Sequence, residues 1–145
     1  MIALLQRVSR ASVEVDGNQI AGIDRGLLVL VGVERADDPS KADRLLERLL
    51  SYRVFPDEAG KMNLSLAQIG GGLLLVPQFT LVADTRKGTR PGFSRAASAR
   101  HGELLFDHLL TRAASSHSPV AAGIFGADMQ VALTNDGPVT FWLQV

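Results

Sequence analysis

The chain has 145 residues, 46% of them hydrophobic, which is enough apolar material for one globular core. Fifteen Lys and Arg balance fifteen Asp and Glu, so bulk positive charge is excluded as the basis of nucleic-acid binding, while a local basic patch is not. The chain holds no cysteine, which excludes disulfides, thiolate catalysis and cysteine metal sites and fits cytosolic life. The opening, Met1 to Arg7, lacks the basic region, long apolar run and small-residue cleavage site of a secretory signal. No apolar run approaches the roughly 20 residues of a membrane span. Without an internal repeat or low-complexity linker, residues 1–145 read as a single domain.

In chain order, Ile2 to Val8 reads as a strand, and Ser12 to Val15 with Gln19 to Ile23 reads as a hairpin turning at Asp16-Gly17. Leu27 to Val33 is a continuous apolar run, the pattern of a strand buried on both faces. Asp38-Pro39 opens a helix, with Asp38 as N-cap and Pro39 in the first position. Ala42, Leu45, Leu46, Leu49 and Leu50 then form its apolar stripe. A loop from Pro56 to Lys61 follows Arg53-Val54-Phe55, and Gly70-Gly71-Gly72 precedes the most apolar strand, Leu73 to Ala83. A basic stretch, Thr85 to Arg100, leads into a second helix starting near Ser98, with Leu104, Leu105, His108 and Leu109 on one face. Val120–Phe125, Met129–Leu133 and Val139–Gln144 complete about nine strands. Two main helices among these strands predict an α+β fold with a strongly curved, barrel-like, mostly antiparallel sheet. So many edges in so short a chain favour a dimer.

Three segments could carry chemistry. Gln78 and Thr80 share one strand face by the period of two, and Pro77 beside them cannot donate to a ladder, which predicts an edge or a bulge there. That segment is either a ligand site or a plain β-favouring strand. The loop Asp84 to Arg95 holds four of the fifteen cations, Arg86, Lys87, Arg90 and Arg95. It reads either as a phosphate-contacting loop or as a solvated basic one, and Phe93 within it either stacks on a base or packs inward. Asn135-Asp136-Gly137-Pro138 is either an ordinary turn before a strand or a stiff run of carbonyls placed to read a ligand. His101, His108 and His117 match no metal-ligand or nucleophile-elbow pattern and read as structural, so Thr80 has no visible base to activate it.

Gln78-Phe79-Thr80-Leu81, Ala83-Asp84-Thr85-Arg86-Lys87-Gly88, Phe125-Gly126-Ala127-Asp128-Met129-Gln130-Val131 and Asn135-Asp136-Gly137-Pro138-Val139-Thr140 together resemble the D-aminoacyl-tRNA deacylases. So do Gln6-Arg7-Val8 with Ala11-Ser12-Val13, and Gly60-Lys61-Met62-Asn63-Leu64-Ser65, so the likeness spans essentially the whole chain. The resemblance implies a cytoplasmic, homodimeric esterase without metal or other cofactor. Its activity would be hydrolysis of the ester between a D-amino acid, or glycine mischarged on tRNA-Ala, and the terminal adenosine of tRNA. Gly137-Pro138 would be a cis dipeptide entering the partner subunit's site, with carbonyls that reject an L side chain and let a D side chain pass. The ribose 2′-hydroxyl would help to activate water, and backbone amides near Phe79 and Thr80 would receive the oxyanion. The resemblance further implies that Gln78, Phe79 and Thr80 serve catalysis, that Phe125, Met129 and Pro77 contact substrate, and that Arg86, Lys87 and Arg90 contact tRNA. Phe125 and Met129 read equally as core residues.

The family usually has serine where this chain has Pro77, which removes a hydroxyl and a backbone donor and argues against a serine mechanism. Two other classes of function compete with the esterase: a tRNA-binding dimer without catalysis, and a small-molecule hydrolase acting through Thr80.

Overall fold

The computed structural model describes all 145 residues. Strand β1 (Ile2–Val15) is the spine of the sheet. Its first half pairs antiparallel with β3 (Gly26–Gly32) and its second half with β2 (Asn18–Ile23). Its opposite edge takes β8 (Gln130–Gln144) along nearly the whole length, from Ile2↔Gln144 to Glu14↔Gln130. Beyond β3 the sheet continues in parallel through β6 (Gly72–Pro77) and β7 (Val120–Ala122). The sheet curls until β2 meets β6, so a Cβ on Gly72 would stand 2.7 Å from the Cβ of Ile23. The expected α+β fold with a barrel-like, mostly antiparallel sheet is therefore present, with eight strands rather than nine.

Helices α1 (Pro39–Ser51) and α3 (Ala99–Ser116) cover one face of the sheet, and a single turn, α2 (Leu66–Ile69), follows the hairpin of β4 (Arg53–Pro56) and β5 (Met62–Ser65). Asp38 caps α1 by accepting the Lys41 N–H at 3.0 Å, with Pro39 at the start, as the sequence predicts. Leu27, Val29, Leu73 and Leu75 pack against the helices with Leu45, Leu49, Phe106 and Leu109. Their neighbours Leu28, Leu74 and Val76 face the other way, into a smaller core with Val8, Val13 and Ile23. β3 is thus buried on both faces, as its unbroken apolar run requires.

Three expectations are corrected. The apolar run from Leu73 is strand only to Pro77, after which Phe79–Val82 winds into a 3-10 turn. Nor is β6 an edge or a bulge, because it lies between β3 and β7. Pro77 is tolerated as its last residue: Gln78 N–H still reaches the Val31 carbonyl at 2.7 Å on the β3 side, while pairing with β7 has ended at Leu75↔Ala122. On α3 the buried stripe is Gly102, Leu105, Phe106, Leu109 and Ala113, which leaves Leu104 exposed and His108 at the margin.

Candidate active site

Where β6 gives way to the 3-10 turn, the end of the sheet and the start of α3 enclose a cavity of about 320 Å3. Val31 and Val33 from the β3 side, Pro77 from the end of β6, Phe79 from the turn, Gly102 and Phe106 from α3, and Phe125 from the loop after β7 surround it. The lining contains no carboxylate, no ammonium and no imidazole, and its polar side chains are Gln78 and Ser98. A neutral, largely apolar group suits such a space better than an ion does. Gly102 makes room for it: a Cβ there would stand 3.2 Å from the ring edge of Phe125.

Gln78 and Phe79 stand at the mouth. The Gln78 amide donates to the Thr80 hydroxyl, so the 3-10 turn unites two residues that the sequence placed on one strand face. The Phe79 and Thr80 N–H groups belong to the first turn of this element, where no carbonyl of the turn itself can receive them. Thr80 is exposed and lies outside the cavity lining. None of the three histidines faces it: His101 Nε2 lies 2.9 Å from the Asp37 carbonyl, His117 Nε2 lies 2.7 Å from the Gly71 carbonyl, and His108 Nε2 lies 3.0 Å from Asp43. The His108 contact, with Arg112 beside it, holds the Asp43 carboxyl below its ordinary pKa. Of the expected substrate contacts, Pro77 and Phe125 line the cavity and Met129 does not. Met129 leans instead on the smaller core and crowds Gly123, where a Cβ would meet its sulfur at 2.7 Å.

Gly137-Pro138 is likewise absent from the cavity of its own chain. The segment is not a turn before a strand but a bulge within β8: Asn135 pairs with Val8 and Thr140 with Gln6, so four residues, Asp136 to Val139, stand opposite Arg7 alone. The Gly137-Pro138 peptide is cis, and Gly137 has φ +121°, a conformation L side chains rarely adopt. Arg7, nearly buried, fastens the bulge. Its Nε donates to the Asp136 carbonyl at 3.1 Å and its guanidinium to the Val54 carbonyl at 2.7 Å. The Asn135 amide closes the base, donating to the Arg7 and Val139 carbonyls at 2.9 and 3.1 Å.

The predicted cations lie in a separate cleft formed by Asp84, Arg86, Lys87, Arg90, Gly92 and Ser94. Arg86 forms a two-pronged pair with Asp84, at 2.9 and 2.6 Å, and this pair holds the Asp84 carboxyl far below the usual carboxylate range. Arg95 is taken by Glu34. Lys87 and Arg90 enter no ion pair.

The family model described as D-Tyr-tRNA(Tyr) deacylase matches residues 4–144. The chain belongs to this deacylase family. It is 63% identical over 145 residues to the D-aminoacyl-tRNA deacylase of Thioalkalivibrio sulfidiphilus, covering 100% of this chain and 97% of that protein. It is 65% identical over 144 residues to the D-aminoacyl-tRNA deacylase of Stutzerimonas stutzeri, covering 99% of each. Among solved structures it superposes on a c-Myc DNA unwinding element binding protein with TM-score 0.95 at 38% identity, covering 100% of this chain and 99% of that one. A probable eukaryotic D-amino acid tRNA deacylase shares the fold, with TM-score 0.84 at 16% identity over 99% and 98% of the two chains.

Sequence reasoning gave no structural role to several residues that build the cavity and the bulge. Val31, Val33 and Gly102 form the cavity from elements far apart in the chain, and Arg7 and Asn135 hold the bulge. A glycine inside a helical stripe and an arginine inside an apolar strand were the available signals. No group of three His, Cys, Asp or Glu side chains is placed to hold a metal ion, and no helix is long and apolar enough to cross a membrane.

Proposed function

We propose that this chain hydrolyses the ester between a D-amino acid and the terminal ribose of tRNA, releasing the free amino acid and the tRNA. The observation that carries this reading is the end-to-end match to the deacylase family, with Gln78 and Phe79 at the mouth of a cavity suited to an uncharged base. Adenine occupies the cavity between Phe125 and the α3 wall, which leaves the ester beside Gln78. Water attacks the carbonyl, the N–H groups of Phe79 and Thr80 receive the developing oxyanion, and the ribose oxygen leaves as an alcohol. No side-chain base is in place at the mouth, so the neighbouring 2′-hydroxyl of the ribose assists the water, and catalysis rests on holding ester, hydroxyl and water together.

Selection lies in the bulge of a second subunit. The Gly137 and Pro138 carbonyls face the α-carbon, an L side chain collides with them, and a D side chain points away. Glycine has no side chain to reject, so glycine mischarged on tRNA-Ala is also cleaved. The free outer edge of β8, a strand of 15 residues carrying Trp142 at 52% exposure, supports the homodimer this requires. A cytoplasmic location follows from the substrate.

Incubation with D-Tyr-tRNA and L-Tyr-tRNA tests the reading. Selective loss of the D-ester is expected; binding without hydrolysis makes the chain a tRNA-binding dimer, and equal loss of both esters refutes the filter. Thr80→Ala retains a measurable part of the activity, because the hydroxyl's partner is Gln78 and not a base. Complete loss in a folded Thr80→Ala protein would instead make Thr80 a nucleophile.

A further inference from the structure

Between the cavity and the cationic cleft stand two exposed aromatic rings. Phe79, at 60% exposure, and Phe93, at 40%, lie with ring centroids 5.2 Å apart and planes tilted by 46°. Exposed phenylalanines are costly unless something covers them, and these two are contiguous with a site on either side. Phe79 is part of the cavity wall. Gly92 and Ser94, the neighbours of Phe93, are part of the cleft that contains Lys87 and Arg90. Both are cations without an acidic partner, and the one carboxylate in that cleft, Asp84, is engaged by Arg86. An apolar base pocket, an aromatic shelf and uncommitted cations thus follow one another along the surface.

We propose that this track binds the unpaired 3′ end of the RNA beyond its last nucleoside. The base preceding the terminal adenosine stacks on the Phe79–Phe93 shelf, and Lys87, Arg90 and the Ser94 hydroxyl receive the phosphate that follows. Rings and backbone charges at this spacing suit a single strand, since every base offers a π face and every linkage a negative charge, whereas a duplex would bury its bases away from the shelf. The assignment rests on the deacylase reading and deepens it: recognition extends past the reacting nucleoside without reading the amino acid.

The test compares two non-hydrolysable ligands, the 3′-amide analogue of D-tyrosyl-adenosine alone and the same group at the end of a trinucleotide RNA. Their dissociation constants are measured for the full-length wild type, Phe93→Ala and Phe93→Tyr. Phe93→Ala is expected to weaken the trinucleotide by about tenfold or more, to leave the mononucleoside unchanged, and to be rescued by Phe93→Tyr. Equal trinucleotide affinity in wild type and Phe93→Ala overturns the shelf. Equal losses for both ligands also overturn it, since Phe93 would then merely buttress the cavity wall. A Phe93→Ala protein that sediments as a smaller species than the wild type overturns it in favour of a second copy of the chain as occupant. A wild type that binds neither ligand contradicts the deacylase reading itself, separately from the shelf.

Discussion

Two irregular segments rich in turn residues have opposite mechanical characters. The bulge Asp136–Val139 is set inside a continuous strand pair, and Arg7 and Asn135 tie its Asp136 and Val139 carbonyls to two carbonyls of its surroundings, those of Val54 and Arg7. The loop Thr85–Ser94 projects from the sheet, closed at its base by two backbone bonds between Asp84 and Gly92, at 2.7 and 3.0 Å. A device that separates mirror images must hold its atoms within a fraction of an ångström, because a small yield would admit the wrong side chain. A device that meets phosphates can be loose, because charge attraction falls off gently with distance. The contrast suits the proposed division, with stereochemical selection in the bulge and affinity in the loop.

Arg7→Ala should break the comparison most severely. It leaves the Asp136 and Val54 carbonyls without their charged donor, at a cost of roughly 2–3 kcal/mol in folding stability. The half-exposed Asp136 side chain adds little to that cost. The loosened bulge should lower the ratio of D-ester to L-ester hydrolysis at least about tenfold, read from the two rates below the melting transition; an unchanged ratio would mean that selection lies elsewhere.

Lys87→Ala and Arg90→Ala should do the reverse. RNA binding should weaken for D and L esters alike, and the slope of log affinity against log salt should fall by about 0.7 for each lost contact to single-stranded RNA. A changed D/L ratio in these variants would erase the division of labour.

The smallest effect is that of pH on the loop. The Asp84 carboxyl is depressed chiefly by its hydrogen bonds from Arg86. With the native pKa below the unfolded one, the pair's contribution is complete above the ordinary Asp value of about 4 and declines only as the pH falls further, toward the native pKa. Hydrogen exchange in the loop, corrected for its intrinsic pH dependence, should therefore show no transition between pH 8 and 5, and a step near pH 6 would contradict the pairing.

The sequence disclosed what local chemistry controls. Asp38 and Pro39 announce α1, and the unbroken run from Leu27 announces a strand buried on both faces, because a cap and a period are read over a few neighbours. Phe79-Thr80-Leu81-Val82 favours strand by composition yet winds into a 3-10 turn, because pairing with β7 has ended at Leu75 and pairing with β3 ends just after Pro77, so the chain leaves the sheet there. The four-residue bulge was hidden because register belongs to the pair, and nothing within Asp136–Val139 says that Arg7 alone stands opposite. Leu104 fits the helical stripe but lies one position off the face that meets the core, a rotation that only packing fixes. Motif likeness singled out Gln78 and Phe79, which line the cavity, while Val31, Val33 and Gly102, which shape the space behind them, carry no motif.

The central claim is that the bulge of one subunit filters substrate over the cavity of the other. It is tested most directly in a mixed dimer of Arg7→Ala and Gly102→Leu chains, the second filling its own cavity against Phe125. The intact cavity then belongs to the Arg7→Ala subunit and the intact bulge to its partner. The account predicts that mixing restores D-selective hydrolysis to about half the wild-type level; a mixed dimer that remains unselective would show that each bulge serves its own chain and would contradict it.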